Sequence, residues 1–139
     1  MLKFLITFLV LFAYNLTHSQ NIIDNNDFED GLSDWSSYFA SGNSGTLIQS
    51  TIEHSGDYAA RINVTQVPSS PSVLGAQIKT NKFHIDAGHD YHLSLWLKAD
   101  KNVDVQIILI QNSSPWTWLA NKTVTLNTNY QHFDLIETN

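Results

Sequence analysis

The chain has 139 residues, with 7 Lys and Arg against 13 Asp and Glu, and a formal net charge of −6 at pH 7. Charge of that sign repels nucleic acid and anionic lipid, and no basic stripe along the sequence overrides it, so neutral or cationic partners remain. There is no cysteine, so the fold uses no disulfide, and the length allows one domain with a core but not two.

The first element is MLKFLITFLVLFAYNLTHSQ, in which Lys3 precedes an apolar run from Phe4 to about Tyr14, followed by small and polar residues. That is the order of a cleavable secretory signal peptide. The run is too short for a transmembrane helix, which needs about 20 apolar residues. Thr17 and Ser19 are small residues placed for a cut after Ser19, so residues 1–19 read as the signal peptide and 20–139 as the mature domain. Losing Lys3 takes the mature charge to 6 − 13 = −7. A protein that is secreted, periplasmic or at the cell surface is the expectation, with no membrane span.

Beyond residue 20 the chain reads as strands. The candidates are 46–52, 58–65, 74–80, 91–98, 103–111, 122–126 and 131–136. YHLSLWLK alternates cleanly, with Tyr91, Leu93, Leu95 and Leu97 opposed to His92, Ser94, Trp96 and Lys98. YAARINVT behaves alike, and VDVQIILIQ becomes apolar on both faces, as a strand covered on both sides does. Turn-forming residues separate the runs, for example Ser41-Gly42-Asn43-Ser44-Gly45 and Pro68-Ser69-Ser70-Pro71. No segment keeps a helical period. The expected fold is all-β, an antiparallel β-sandwich.

The faces opposite the apolar ones carry Arg61, Asn63, Gln77, His92, Ser94, Trp96, Asp104 and Gln106, a set suited to hydroxyl-rich ligands. QNSSPWTWLAN places Trp116 and Trp118 in a loop, two positions apart, where an extended backbone would point both to one side. A pyranose has a face of axial hydrogens and a rim of hydroxyls, and an indole offers a flat apolar area with a polar N–H. Trp116, Trp118 and Trp96 are therefore candidate platforms; the alternatives are core packing of at least one of the loop pair, and a loop covering the sheet face so that Trp96 is second-layer core. Arg61, Gln77 and Gln106 are candidate polar forks for vicinal hydroxyls. Trp35 reads as core.

Four stretches resemble, in order, carbohydrate-binding modules of the family 4/9/22 type, which are jelly-roll sandwiches attached to secreted glycoside hydrolases. They are NIIDNNDFEDGLSDW (21–35), EHSGDYAARI (53–62), AGHDYHLSLWLKAD (87–100) and TVTLNTNYQHF (123–133). The resemblance implies ligand contacts on the concave sheet and its bordering loops. It also implies a structural calcium ion, with carboxylates from Glu29 and Glu53 and carbonyls from Asp27 and Gly56, residue types that suit a hard cation. Simple solvation of these acids is the alternative. Family members continue to a final strand carrying an Asp, and this chain stops at Asn139, so a C-terminally truncated sandwich lacking its last strand is expected.

No catalytic site is expected. Glycoside hydrolysis needs two carboxylates across a cleft, and the only glutamates are Glu29, Glu53 and Glu137. His89 and His92 lack a third metal ligand, and no Gly-x-Ser-x-Gly elbow occurs. Asn63, Asn112 and Asn121 head N-glycosylation patterns, read here as chance. The expected function is a non-catalytic module that holds a polysaccharide of the β-glucan or xylan type in an aromatic-lined cleft, as an accessory to an attached or companion hydrolase. A structural or adhesive sandwich whose aromatic surface docks a protein or neighbouring domain is the rival reading.

Overall fold

A computed structural model describes residues 21–137 apart from Val73. The leader assigned to residues 1–19, with its cut after Ser19, lies outside the described residues. Within them the chain forms eight strands and no helix: β1 Trp35–Phe39, β2 Ser44–Ser50, β3 Ala59–Gln66, β4 Ala76–Thr80, β5 Tyr91–Leu97, β6 Val103–Ile110, β7 Trp118–Leu126 and β8 Gln131–Glu137. No helix here is long and apolar enough to cross a membrane. The expected antiparallel β-sandwich is the observed fold.

The strands pair as four antiparallel ribbons, β1 with β4, β2 with β3, β5 with β8 and β6 with β7. In each half of the chain a hairpin is nested inside a longer-range pair. β5 forms as its alternation requires, with Tyr91, Leu93, Leu95 and Leu97 half-buried and His92, Ser94 and Trp96 exposed. Ile107, Val124, Leu126 and Leu135 form the buried core, packed by Leu93, Leu95, Leu97, Val105, Leu109 and Phe133. All of these belong to β5–β8 and β6–β7, so the apolar faces of the two ribbons meet. Their outward faces consequently point away from one another.

Two elements differ from the sequence expectation. β1 was not legible, because in Trp-Ser-Ser-Tyr-Phe a serine (Ser37) occupies the inward position between Trp35 and Phe39. Pairing with β4 imposes the strand, from Trp35 opposite Thr80 to Phe39 opposite Ala76. Backbone bonds close both ends, Asn81 N–H to the Asp34 carbonyl at 2.7 Å and Ala40 N–H to the Gly75 carbonyl at 2.8 Å. β7 begins at Trp118, four residues before the expected start, so Trp118 belongs to a strand rather than to the loop.

In the first half of the chain, Phe39 lies where a Cβ on Gly45 would stand, about 2.7 Å from that position, and the Asn63 carbonyl is closer still. Only glycine admits this approach of β1 to β2. Trp35, expected in the core, is half-buried outside the main core cluster, tilted against Phe28 with ring centroids 4.7 Å apart, and its indole N–H donates to the Asn25 carbonyl at 2.8 Å.

Candidate functional site

The outward face of β6–β7 brings polar, apolar and aromatic side chains together in one ladder. Cross-strand register puts Asp104 opposite Thr125, Gln106 opposite Thr123, Ile108 opposite Asn121 and Ile110 opposite Trp118. Leu109 faces Ala120, and the next pair skips Leu119, so one extra residue bulges out of β7. A regular register would have set Leu119 outward and Trp118 inward. The bulge reverses that, a familiar way of re-aiming a side chain. Trp118 is accordingly 38% exposed beside Ile110 at 42%.

The loop beyond is closed by Gln111 N–H to the Thr117 carbonyl at 2.9 Å. Trp116, 55% exposed, sits at its tip with φ +59°, and its N–H donates to the Ser113 carbonyl at 2.7 Å. The backbone there is left-handed, so strand alternation does not align the two indoles as the sequence suggested. Both still border the same end of the face.

At the other end, Asp104, Val105, Gln106 and Thr123 line an open hollow of about 240 Å³. Thr125 donates its hydroxyl proton to Asp104 Oδ1 at 2.6 Å. Gln106 Nε2 donates weakly to Thr123 Oγ1 at 3.4 Å, while Gln106 Oε1 is buried without a partner. A buried acceptor of this kind destabilises the protein until a donor reaches it. Asp104 was in the outward-face set read from the sequence, whereas Asn121, Thr123 and Thr125 were not read as binding groups, because the pairing with β7 is what brings them beside it.

The other candidate residues lie elsewhere. Trp96 points outward from β5, on the face directed away from Gln106 and Trp118. His54 stacks on its indole at 3.7 Å and 13°, and His132 tilts against it at 5.0 Å. Tyr130 meets His54 edge-on at 5.5 Å, and its hydroxyl donates to the Ile52 carbonyl at 2.7 Å. Burial, with the Glu53 carboxylate as a second cause, raises the Tyr130 phenol above its ordinary pKa. Trp96 thus anchors the 51–58 turn. Arg61 is exposed on β3 opposite Ile48, and Gln77 on β4 faces Tyr38, with its Nε2 donating to the Leu74 carbonyl at 2.7 Å. The structure therefore joins Gln106 with Trp118 and sets Trp96 apart from them.

The β5–β8 face also carries an atom order resembling a serine-nucleophile relay. Ser94 Oγ lies 2.7 Å from His132 Nε2, His132 Nδ1 lies 3.4 Å from Asp134 Oδ2, and Asp134 Oδ1 lies 2.6 Å from His92 Nε2. Strand N–H groups lie in the plane of the sheet, so none is aimed above Ser94 to hold an oxyanion. The group acts as a cross-strand staple, satisfying its own polar atoms.

Glu29 Oε1 accepts the N–H groups of Asp57 at 2.7 Å and Tyr58 at 3.2 Å, and a side chain on Gly56 (φ +79°) would collide with it. Glu29 and Gly56 are therefore neighbours. Asp27 Oδ1 accepts the Glu29 N–H at 3.3 Å, and Glu53 Oε2 is buried without a partner. No group of three or more His, Asp or Glu gathers as a metal site among the described residues, so a cation here would need backbone carbonyls as well. The orphaned Glu53 oxygen and the hard-oxygen donor set fit such an ion.

A helix-free sandwich with an outward face of polar side chains and exposed indoles has the make-up of a binding domain. A family model for a carbohydrate binding domain matches residues 20–135, and the chain belongs to that family. No curated protein and no solved structure gives a significant match.

Proposed function

We propose that the protein is an exported accessory module that holds a polysaccharide, of the β-glucan or xylan type, along the outward face of β6–β7. The observation that carries the reading is the ladder from the hollow at Asp104 and Gln106 to the bulge-turned Trp118. Successive rows on one face are two residues apart, about 6.7 Å, so its four rows span about 20 Å, the length of a short oligosaccharide. Trp118 supplies a stacking ring, Trp116 borders the open end, and the exposed side chains of Asp104 and Asn121 offer polar groups to the sugar hydroxyls. Covering about 100 Å² of sugar face contributes roughly 2.5 kcal/mol. That suits weak, reversible capture that concentrates a companion hydrolase on its substrate.

Arg61, Gln77 and Trp96 are not needed by this reading. Glu29, Glu53 and the carbonyls of Asp27 and Gly56 would hold a structural calcium ion beneath the 51–58 turn. The ion would supply charge neutralisation and cross-linking of the N-terminal segment to that turn, and take no part in sugar binding.

The test is tryptophan fluorescence during titration with laminarin, xylan, mixed-linkage glucan and mannan, on the wild type and on Trp118→Ala. The expected result is a saturable change with at least one polysaccharide, weakened at least about tenfold in the variant, whose circular dichroism is unchanged. Absence of any response, with self-association that buries the indoles as protein concentration rises, would replace this reading with the protein-docking one.

A further inference from the structure

We propose that the hollow on the β6–β7 face selects a protonated amino sugar over its neutral counterpart, with Asp104 as the residue that reads the ammonium group. The inference rests on the carbohydrate-binding reading above and names the ligand class of the same face. Asp104 and Gln106 are two residues apart on β6 and share that face. Thr125 already donates to Oδ1 of Asp104, and Oδ2 has no hydrogen-bond partner among the described residues. The hollow is therefore lined by a carboxylate with an open acceptor.

No basic side chain balances it. β6 contains no Lys or Arg, and the only one in β7 is Lys122. Lys122 stands opposite Ile107, on the other face of the ribbon, and its Nζ donates to the Asp134 carbonyl at 3.1 Å. Among the described residues Asp104 has no ion-pair partner, and the whole chain is negative by 6 charges. A uronic acid brings a like charge to this surface, and a hydroxyl brings a lone pair with each proton. An ammonium brings three donors, no acceptor and the complementary charge. Of sugars differing only at that one substituent, the amine satisfies the site best.

β-1,4-linked glucosamine and glucose oligomers of equal length differ at carbon 2 alone, which makes them the probe. Calorimetric titration at low salt, with the amine protonated, should show the glucosamine oligomer binding about fivefold tighter, the gain of one exposed ion pair. The preference should vanish in Asp104→Asn and at high salt, whereas Trp118→Ala should weaken both oligomers. Equal affinities in the wild type, a preference that survives Asp104→Asn, or binding of neither oligomer would overturn the inference. In those cases a response to laminarin or xylan would leave the carbohydrate-binding reading standing, and silence towards every saccharide would overturn both.

Discussion

At the scale of single residues, the decisive contrast is between polar groups that find partners within the chain and those that do not. His92, Ser94, His132 and Asp134 bond one another across β5–β8, and Trp96 is stacked by His54. Gln106 Oε1 and Glu53 Oε2 are buried without partners, which is costly unless something outside the protein completes them. A cation is the proposed partner of Glu53 Oε2. If calcium completes Glu53, adding it should raise the melting temperature of the wild type by about 4 °C or more, and a chelator should reverse the rise. Glu53→Gln should melt at the same temperature with and without the ion. No shift in the wild type, or an equal shift in the variant, would remove calcium from this turn. Histidine stacking on Trp96 was not legible in the sequence, because His54 and Trp96 meet only when the 51–58 turn folds back over β5. From the sequence Trp96 was open to two readings, a ligand platform or a ring under a loop, and His54 is the loop residue that stacks on it.

Among the elements, the strands with a clean apolar alternation were legible and the one without it was not. YHLSLWLK gives β5 both its strand and its inward face, and the core-facing leucines are where the alternation puts them. β1 exists because β4 pairs with it, which no local pattern in Trp-Ser-Ser-Tyr-Phe announces. The site was legible as a set of residue types, Gln106 and Trp118 among them, but its geometry was not. The outward aim of Trp118 depends on a one-residue mismatch between β6 and β7, and a mismatch belongs to neither strand by itself. Two length changes test this. Inserting one alanine between Leu109 and Ile110 gives Leu119 a partner and turns Trp118 inward, so binding should be lost and its emission should shift to the blue. Deleting Leu119 instead restores a regular ladder with Trp118 still outward, so binding should persist. Equal behaviour of the two variants would show that the bulge does not control the site.

For the whole molecule, the packing of β5–β8 on β6–β7 creates two opposed surfaces with different chemistry. One pairs its polar side chains internally and pins the 51–58 turn, while the other exposes Asp104, Asn121, Ile110 and the indoles of Trp116 and Trp118. Net charge favours neutral or cationic polymers at either surface but cannot choose between them. Assignment of the binding face is therefore the central claim, and it separates the two tryptophan environments cleanly. The most direct measurement is a nitrogen–proton correlation spectrum of the labelled protein, followed as the polysaccharide that responds in fluorescence is added. Shifts should appear at the indole N–H of Trp118 and the side-chain amides of Gln106 and Asn121, with the Trp96 indole unmoved. Shifts at Trp96 and its histidine neighbours, with Trp118 unmoved, would place the ligand on the opposite surface and contradict the account.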